Sequence, residues 1–394
     1  MKYVIVRCED DASGGQRTVA LLDGAKTQHL AQLAQAGAAG RIRVAAGQPR
    51  LNRARLHRTL VGLDPADAAA QPGLCYAAGA KVEVGPDDTA WCCELVTERD
   101  GRILDATAGR IPTKESAVLI HALEESLGSD VRHWHVGDGS HHLLVARQGP
   151  LTARQPGRRP LPSPEQLIGQ PWRRALPAGA LGEALGALME QAAGTLEAHP
   201  INRVRVDLGE NPANAIWLWG VGSGASAREA RASRSGLVIA NQLLLRGMAR
   251  TLGLECHEGL ASFDERAVER LLRAATDGVA RHELVYVHAR VDTVDPVERL
   301  CAMERLDRLL LKPLTETLPQ HGAWRLLTTV DDRRDGSVPF VAIGTGLPRQ
   351  PIGQLDAPSF AESPLAFTDG AELFSWFTRP HGSPARGAGF THAT

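Results

Sequence analysis

Two aspartates that stand just past apolar segments are the first candidates for chemistry in this sequence. Asp292 follows LVYVHARV, and Asp331 follows WRLLTTV. Both segments have the composition of buried strands, and sites in open parallel sheets form at the carboxyl ends of strands. Carboxylates at such an edge suit a hard divalent ion such as Mg²⁺ or Mn²⁺. Simple solvation of a loop explains an aspartate at either position equally well.

Two pairs of histidines are candidate metal ligands. His133 and His135 are separated by one residue, so in a strand both point to the same face, which shared ligation requires. The second pair is His141 with His142. No Cys, Asp or Glu at matching spacing accompanies either pair. The pattern therefore favours an ordinary core or surface role over a metal site.

The glycine-rich segment GVGSG, residues 220–224, follows an apolar run, where a phosphate-cradling turn would lie. It completes neither GxGxxG nor GxxxxGK[ST], the two fingerprints that identify nucleotide binding. The sequence also contains no GxSxG, HExxH or SxxK motif. A plain loop is the preferred interpretation, and no nucleotide cofactor is expected.

Strand and helix patterns alternate in the first and last parts of the chain. A strand at Tyr3–Val6 is followed by a helix at Thr27–Gly37 that begins with a capping-type Thr. Later helices are predicted at Ala180–Ala198, Ala267–Ala275 and Val297–Leu311. Further apolar strands are predicted at Ala215–Trp219, Gly236–Ala240, Glu283–His288, Trp324–Val330 and Phe340–Ile343. This alternation predicts an α/β fold, with a doubly wound, mostly parallel sheet covered by helices on both faces.

The middle of the chain has a different character. Short alternating segments (KVEVG, TAWCCELVT, RILDATAG) precede a helix at Lys114–Leu127 and a strand at Arg132–Val136. Residues 148–171 are rich in Pro and Arg and predict a long surface loop. We therefore expect a discontinuous core of residues 1–65 and 200–378, an inserted α+β domain at 66–199, and a disordered tail at 379–394.

Composition restricts the class of partner. The 394 residues carry 44 basic and 45 acidic side chains without a run of five like charges, which favours neither nucleic acid nor a membrane surface. The start, MKYVIVRCEDD, lacks the pattern of a signal peptide, so we expect a cytoplasmic protein. The six cysteines contain no CxxC and are expected to be reduced and structural. Oligomeric state is left open.

Seven segments in order resemble the archaeal-type, cofactor-independent phosphoglycerate mutases of the alkaline phosphatase superfamily. Three lie in the first third: KTQHLAQLAQAGAAG is similar to TPNxDxLAxxGxxG, TLVGLDP to LLGYDP, and DATAGRIPT to DRRAGRIST. Four follow: HPINRVRVDLGENPA is similar to HPIN…PAN, LRGMARTLG to VKGVARxxG, LVYVHARVD to FVFxHxKxxD, and SVPFVAIG to DPVPLLIxG. The likeness runs from about Tyr3 to Phe377 and covers nearly the whole chain.

This resemblance implies a doubly wound core with an inserted domain and a cleft between them. In the family, two divalent ions and a serine move phosphate between the hydroxyls of phosphoglycerate in that cleft. It also implies that three residues contact the substrate or line the cleft, namely Arg110, His141 and Arg246. His142 stands where the family has an arginine. The two metal-site remnants that the resemblance identifies are Asp292 and Asp331.

Most of the family's catalytic motifs are replaced in this chain. The LDGxGD motif after the first strand corresponds to Arg7–Asp11, in which Glu9 or Asp10 is a possible substitute for the metal aspartate. The nucleophile motif GSDTAH corresponds to Arg50–His57, which contains no hydroxyl group. No histidine follows Asp292 in TVDP, Asp332 replaces the histidine after Asp331, and Arg333 or Arg334 replaces a third histidine.

Three functions are consistent with these observations. The leading hypothesis is a phosphoglycerate-mutase-like protein that has lost metal-dependent catalysis, contains no confidently expected cofactor, and binds a phosphorylated small molecule or a protein partner. The rival is an active mutase, phosphotransferase or phosphohydrolase with an acidic Mg²⁺ or Mn²⁺ site built from Glu9, Asp10, Asp292, Asp295, Asp331 and Asp332. The third is a scaffold subunit, which no positive feature supports beyond the loop at 148–171 and the basic tail.

Overall fold

Strands and helices alternate along most of the chain. The computed structural model of the protein describes residues 1–10, 21–43, 53–63, 71–152, 161–226, 232–260, 262–291, 293, 295–331 and 337–380. The strands are β1 (Lys2–Asp10), β2 (Ala38–Ile42), β3 (Thr89–Arg99), β4 (Arg102–Asp105), β5 (Arg132–Asp138), β6 (His141–Ala146), β7 (Ala215–Ser223), β8 (Gly236–Ile239), β9 (Glu255–His257), β10 (Leu284–Val291), β11 (Trp324–Val330), β12 (Val338–Gly344) and β13 (Ala366–Phe367). The helices are α1 (Leu21–Gly24), α2 (Gln28–Ala36), α3 (Arg53–Leu60), α4 (Pro72–Ala80), α5 (Thr113–Leu127), α6 (Ala180–Glu197), α7 (Pro200–Asp207), α8 (Leu243–Thr251), α9 (Glu265–Arg281), α10 (Pro296–Leu306), α11 (Lys312–Thr317), α12 (Ala357–Glu362) and α13 (Gly370–Thr378).

The larger sheet has eight strands in the order β13-β2-β12-β11-β1-β10-β8-β9. Its central strand, β1, is parallel to both β10 and β11. Successive residues of β1 face two different cores: Tyr3 and Ile5 join one hydrophobic cluster, and Val4 and Val6 the other. A strand buried on both faces is typical of a helix-covered parallel sheet, and the predicted fold class is confirmed.

One strand direction in this sheet departs from the sequence prediction. β12 is antiparallel to both β11 and β2, although a parallel arrangement was expected. The connection from β11 runs only from residue 331 to residue 337. A parallel pair needs a crossover of roughly a dozen residues, so this connection is too short for one.

The second sheet is antiparallel and has five strands, in which β3 pairs with β4, β6 and β7, and β5 pairs with β6. The prediction that Ala215–Trp219 belongs to the parallel sheet is therefore wrong, because this segment forms β7. The KVEVG segment at 81–85 is not a strand either. An apolar pattern identifies a strand but not its partner, since pairing depends on contacts with residues far away in sequence.

The start of α2 is capped from a distant part of the chain. Thr27, the expected cap, makes no side-chain capping bond. Instead, the carboxylate of Asp307 accepts hydrogen bonds from the backbone N–H groups of Leu30 at 2.7 Å and His29 at 2.9 Å. Asp307 begins a π-helical turn, Asp307–Leu311, which directly follows α10 in the region predicted as one continuous helix.

The glycines of GVGSG serve packing. A Cβ on Gly222 would lie 2.7 Å from Cγ of Leu74, and a Cβ on Gly224 would lie 1.8 Å from the backbone oxygen of Gly85. Both distances are far below van der Waals contact, so side chains are excluded at these positions. The glycines thus let neighbouring backbone approach the end of β7.

The structure also bears on the cysteines, which were expected to be reduced, and on the possibility of a membrane-spanning helix. All six cysteines are free, and burial raises the pKa of Cys8 and of Cys75 to about 12. These two thiols are protonated at neutral pH, as expected of structural cysteines. Among the residues that the structure describes, no helix is long and apolar enough to span a bilayer.

The close crossing of α4 and α8 depends on Gly247. A Cβ at this position would lie 1.6 Å from the backbone oxygen of Cys75, so Gly247→Ala must separate the two helices. We expect the free energy of unfolding to fall by about 3 kcal/mol, the upper range for overpacking. Gly194→Ala is the matched control, because Gly194 lies inside α6 with open space around it. The free energy of unfolding of this control should rise by about 0.5–1 kcal/mol. If urea denaturation gave the same change in stability for both variants, this packing argument would be contradicted.

Candidate functional site

The carboxyl ends of β1, β10 and β11 bring five polar side chains together. Arg7 and Glu9 lie two residues apart on β1, so they point to the same side of the sheet. His288 on β10 is directly opposite Arg7 in the strand pairing, and Asp331 comes immediately after β11. His57 reaches the cluster from α3. Parallel pairing is the cause of this convergence, because it aligns the ends of all three strands.

Arg7 forms an ion pair at the centre of this cluster. Its side chain is 0% exposed, and Nη2 donates to Oδ1 of Asp331 at 2.8 Å. Nε lies 3.7 Å from Oε2 of Glu9, which is 1% exposed. One guanidinium thus stands between two buried carboxylates at the carboxyl ends of neighbouring strands.

Glu9 also binds two histidines through a single oxygen. Oε2 lies 2.8 Å from Nε2 of His57 and 3.2 Å from Nε2 of His288. The other ring nitrogen of His57, Nδ1, is 2.7 Å from the hydroxyl of Tyr286. These contacts assign a tautomer in which Nε2–H of His57 donates to the carboxylate and Nδ1 accepts from the tyrosine.

Burial keeps both of these imidazoles neutral. It lowers the pKa of His57 to about 3, although the hydrogen bond and charge of Glu9 oppose the change. Burial lowers the pKa of His288 as well and raises the pKa of Tyr286. At neutral pH both imidazoles of this cluster are therefore uncharged.

The described residues do not fit the two-ion centre that the resemblance implies. The carboxylate of Asp331 is engaged by Arg7, and that of Asp295 caps α10 by accepting from Val297 N–H at 2.8 Å. The fixed positive charge of the guanidinium beside these carboxylates repels divalent cations and so opposes the binding of two of them. Asp292 and Asp332 lie outside the described residues, as does the side chain of Asp10. Their predicted role as ligands stays a prediction.

A cavity of about 890 Å³ opens between the two sheets next to this cluster. The second sheet and its loops contribute Arg110, Asp138 and His141 to its wall. The ends of β10 and its flanking elements contribute His288, Arg290, Val291, Cys301 and Arg305. Cationic groups from both parts of the molecule therefore face the same space.

His141 carries a positive charge at neutral pH because of Glu94. Its Nδ1 lies 2.6 Å from Oε2 of Glu94, whose Oε1 accepts from the hydroxyl of Tyr76 at 2.7 Å and from the indole N–H of Trp219 at 3.1 Å. Burial alone would favour the neutral ring, but the carboxylate raises the pKa of His141 to about 9. The same contacts fix the orientation of the ring at the cavity wall.

Arg110 reaches the cavity from a turn with a strained backbone. Ala108, Gly109 and Arg110 have φ values of 48°, 67° and 55°, a run that is unusual for residues with a side chain. Asp105 stabilises this turn by accepting from the N–H groups of Thr107 at 2.8 Å and Gly109 at 2.9 Å.

Arg246 is the predicted binding residue that does not line the cavity. Its Nη2 is 3.3 Å from Oδ2 of Asp138, which does line it. Arg110 and His141 therefore line the same cavity, whereas Arg246 is separated from it by Asp138. The other histidines are separate: His133 binds Glu124 at 3.0 Å, and His142 is fully buried.

Sequence reasoning missed several of the residues in this region, namely Arg7, His57, Glu94, His288 and Arg290. A usable signal was present in two of the strands. Arg7 and Glu9 alternate with apolar residues in β1, and His288 and Arg290 alternate in β10, so each pair shares one face. Two polar pairs on neighbouring buried strands indicate a polar site at their ends.

Comparisons with known proteins agree with this architecture. A family model described as 2,3-bisphosphoglycerate-independent phosphoglycerate mutase matches residues 34–202. The protein of that name from Methanosarcina mazei is 30% identical over 315 residues, which cover 77% of each chain. A probable 2,3-bisphosphoglycerate-independent phosphoglycerate mutase from Geobacter sulfurreducens is 30% identical over 378 residues, covering 89% of this chain and 92% of that protein.

Two solved structures share the fold. The cofactor-independent phosphoglycerate mutase from Thermoplasma acidophilum aligns with a TM-score of 0.54 and 23% identity, covering 97% of this chain and all of that one. A protein from Pyrococcus horikoshii aligns with a TM-score of 0.61 and 16% identity over 95% of this chain and 96% of that one.

The buried ion pair predicts that Arg7→Met strongly lowers the stability of the folded protein. Removing the guanidinium leaves the carboxylates of Asp331 and Glu9 buried without it, so we expect the free energy of unfolding to fall by about 3–5 kcal/mol. Arg308→Met is the control, because Arg308 and Glu265 form an ion pair of 2.7 Å while 60% and 61% exposed. Arg308→Met should lower the free energy of unfolding by less than about 1 kcal/mol. Similar losses of stability for both variants in urea denaturation would show that Arg7 does not stabilise the fold through its buried ion pair.

Glu94→Gln should change the titration of His141. Without the carboxylate, burial dominates, and the pKa of His141 should fall from about 9 to below its ordinary value of 6.5, which NMR of the ring nitrogens can follow. Because the folded-state pKa is raised, the stabilisation by this pair is complete below about pH 6.5 and is lost as the pH rises through about 9. A pKa of His141 that stays near 9 in the variant would exclude Glu94 as the cause.

Proposed function

This chain belongs to the 2,3-bisphosphoglycerate-independent phosphoglycerate mutase family, and on that premise we propose that it binds a phosphorylated small molecule without catalysing metal-dependent phosphoglycerate mutation. The binding site of this proposal is the cavity between the two sheets. Its expected compartment is the cytoplasm. The observation that carries the proposal is the buried ion pair of Arg7 and Asp331.

The position of Arg7 argues against a two-metal reaction. The guanidinium makes a 2.8 Å ion pair with Asp331 and lies 3.7 Å from Glu9, so it already neutralises carboxylate charge at the ends of β1 and β11. Metal ions in phosphoryl transfer act by placing positive charge beside the moving phosphate. Arg7 is fully buried and is held by Asp331. Its positive charge therefore stabilises the fold and is not placed beside a bound phosphate as a metal ion would be.

The missing nucleophile supports the same conclusion. No hydroxyl occurs between Arg50 and His57, and His57 is engaged by Glu9 and Tyr286. The nearest hydroxyl in α3, on Thr59, is buried and donates to the backbone oxygen of Leu56 at 2.9 Å. No described group in α3 can therefore accept a phosphoryl group as the family's serine does.

The cavity retains the chemistry that recognises a phosphate ester. Arg110 and Arg290 are guanidinium groups at its wall, and such groups pair with phosphate through two parallel hydrogen bonds. The charged ring of His141 adds a third cation. Asp138 can accept a hydrogen bond from a ligand hydroxyl, and Arg246 holds that carboxylate in position.

Turnover measurements decide between this proposal and an active enzyme. We expect no interconversion of 2- and 3-phosphoglycerate above background, with or without Mn²⁺, because the residues that the structure describes provide neither the family's nucleophile nor its two-ion centre. The Methanosarcina mazei relative, assayed in parallel, is the positive control. Turnover that requires Mn²⁺ and disappears in Asp331→Asn would instead support a phosphotransferase with a rebuilt acidic site.

Binding measurements test the cavity directly. By calorimetry, 3-phosphoglycerate should bind the wild-type chain, and Arg290→Gln should weaken binding by about tenfold or more, the effect of removing one charge-assisted hydrogen bond. Arg281→Gln is the control, because Arg281 pairs with Glu255 at 2.8 Å and neither residue lines the cavity, so this variant should leave the affinity unchanged.

The affinity should also depend on pH. It should fall as the pH rises through about 9, where His141 loses its proton, and this decline should be absent in His141→Gln. Equal affinity in wild type and Arg290→Gln, or no binding at all, would refute phosphate-ester binding in this cavity.

A further inference from the structure

The cavity between the two sheets has an apolar surface that phosphate binding does not use. Leu260 and Phe263 line the cavity from the loop before α9, and Val297, Cys301 and Ala302 line it from α10. Val297 and Cys301 are about one helical turn apart, so they lie on one face of α10. Val297 is 66% exposed, which is unusual for a large apolar side chain. Exposed apolar groups that line a cavity are typical of a surface that contacts a ligand.

The volume of the cavity also exceeds what a small ester needs. It is about 890 Å³. Cavities of about 300–1,000 Å³ enclose drug-sized ligands, whereas phosphoglycerate is a three-carbon ester that fills a minor part of such a volume. With its phosphate at Arg110, His141 and Arg290, an ester of that size would leave Phe263 and Val297 facing water.

We propose that the ligand of this cavity is a phosphate monoester whose organic group is apolar or aromatic and larger than glycerate. The phosphate binds at Arg110, His141 and Arg290, where the cationic groups line the cavity. The organic group packs against Phe263 and Val297. This inference rests on the proposed function and names the class of ligand for the same site.

The backbone that carries the apolar surface is held in place by side chains of neighbouring elements. Nη1 of Arg305 in α10 donates to the backbone oxygen of Phe263 at 3.2 Å. Nδ2 of Asn241 donates to the backbone oxygen of Leu260 at 2.5 Å, and its Oδ1 accepts from the N–H group of Gly259 at 2.8 Å. These bonds fix Leu260 and Phe263 without a ligand, which reduces the conformational entropy lost on binding.

The acidic residues beside the apolar surface are engaged by partners within the chain. Oε2 of Glu298 accepts from Oγ1 of Thr293 at 2.8 Å, Asp264 caps α9, and Glu265 pairs with Arg308 at 2.7 Å. Asp264 and Glu265 are exposed, so water and salt screen their charge. This part of the wall therefore suits the uncharged part of a ligand, and the cationic part suits its phosphate.

Calorimetry with phosphate monoesters of increasing size tests the class of ligand. We expect 1-naphthyl phosphate to bind the full chain at least about tenfold more tightly than methyl phosphate, because it buries more apolar surface. Phenyl phosphate should have an intermediate affinity. 1-Naphthol should bind at least about tenfold more weakly than 1-naphthyl phosphate, because it has no phosphate for the guanidinium groups.

The ratio of the affinities for 1-naphthyl and methyl phosphate separates the apolar contact from the phosphate contact. Val297→Asn should lower this ratio by about threefold or more, and Phe263→Ala should lower it as well. Since Val297 is exposed, its replacement should leave the fold intact even if Phe263→Ala fails to fold. Arg290→Gln should weaken both esters and leave the ratio unchanged. Val206→Asn is the matched control, because Val206 is 57% exposed and lies in α7 outside the cavity.

The outcomes distinguish this inference from the proposed function. Equal affinities for methyl and 1-naphthyl phosphate would overturn the inference while phosphate-ester binding stands. A ratio that is unchanged in both Val297→Asn and Phe263→Ala, or 1-naphthol binding as tight as that of its phosphate, would also overturn it. If neither these esters nor 3-phosphoglycerate bind, the proposed function fails together with the inference.

Discussion

The guanidinium of Arg7 is the constraint on which the rest of the site depends. A fully buried cation is tolerated only where opposite charge is fixed beside it, because removal from water costs several kcal/mol. Asp331 provides that charge at 2.8 Å, and Glu9 lies at 3.7 Å. The pair joins the ends of β1 and β11, and Glu9 extends it to His57 of α3 and His288 of β10. The polar network thus links four elements at the carboxyl edge of the parallel strands.

A second charge network lies on the other side of the cavity and follows the same physical rule. Glu94 on β3 is buried and receives hydrogen bonds from Tyr76 and Trp219 while it pairs with His141. Here the histidine is the cation, since the pKa of His141 is raised to about 9, whereas the pKa of His57 is lowered to about 3. Burial lowers the pKa of both rings, and at His57 the charges of Arg7 and His288 lower it further, whereas at His141 the charge of Asp138 adds to that of Glu94 and raises it. Two Glu–His contacts therefore leave one imidazole neutral and the other positively charged.

The family framework and the family chemistry depend on different residues. The framework is determined by apolar strands buried on both faces, by helix caps such as Asp307 and by close backbone contacts at Gly222 and Gly247. None of these involves the ends of β1, β10 and β11. Changes at those strand ends can therefore leave the fold intact, and in this chain the ends of β1 and β11 hold the internal ion pair of Arg7 and Asp331.

The sequence by itself determined the fold class, most element positions and the family, because strand and helix periods are local and seven ordered segments carry the resemblance. It also identified Arg110 and His141, which do meet in one cavity. It did not reveal that β7 pairs with β3, that Asp307 caps α2, or that Arg7 binds Asp331 from 324 positions away. Each of these is a contact between distant segments, and no local pattern specifies its partner. Charge states were likewise decided by tertiary structure, because the pKa of a histidine depends on burial and on the neighbouring carboxylate that folding supplies.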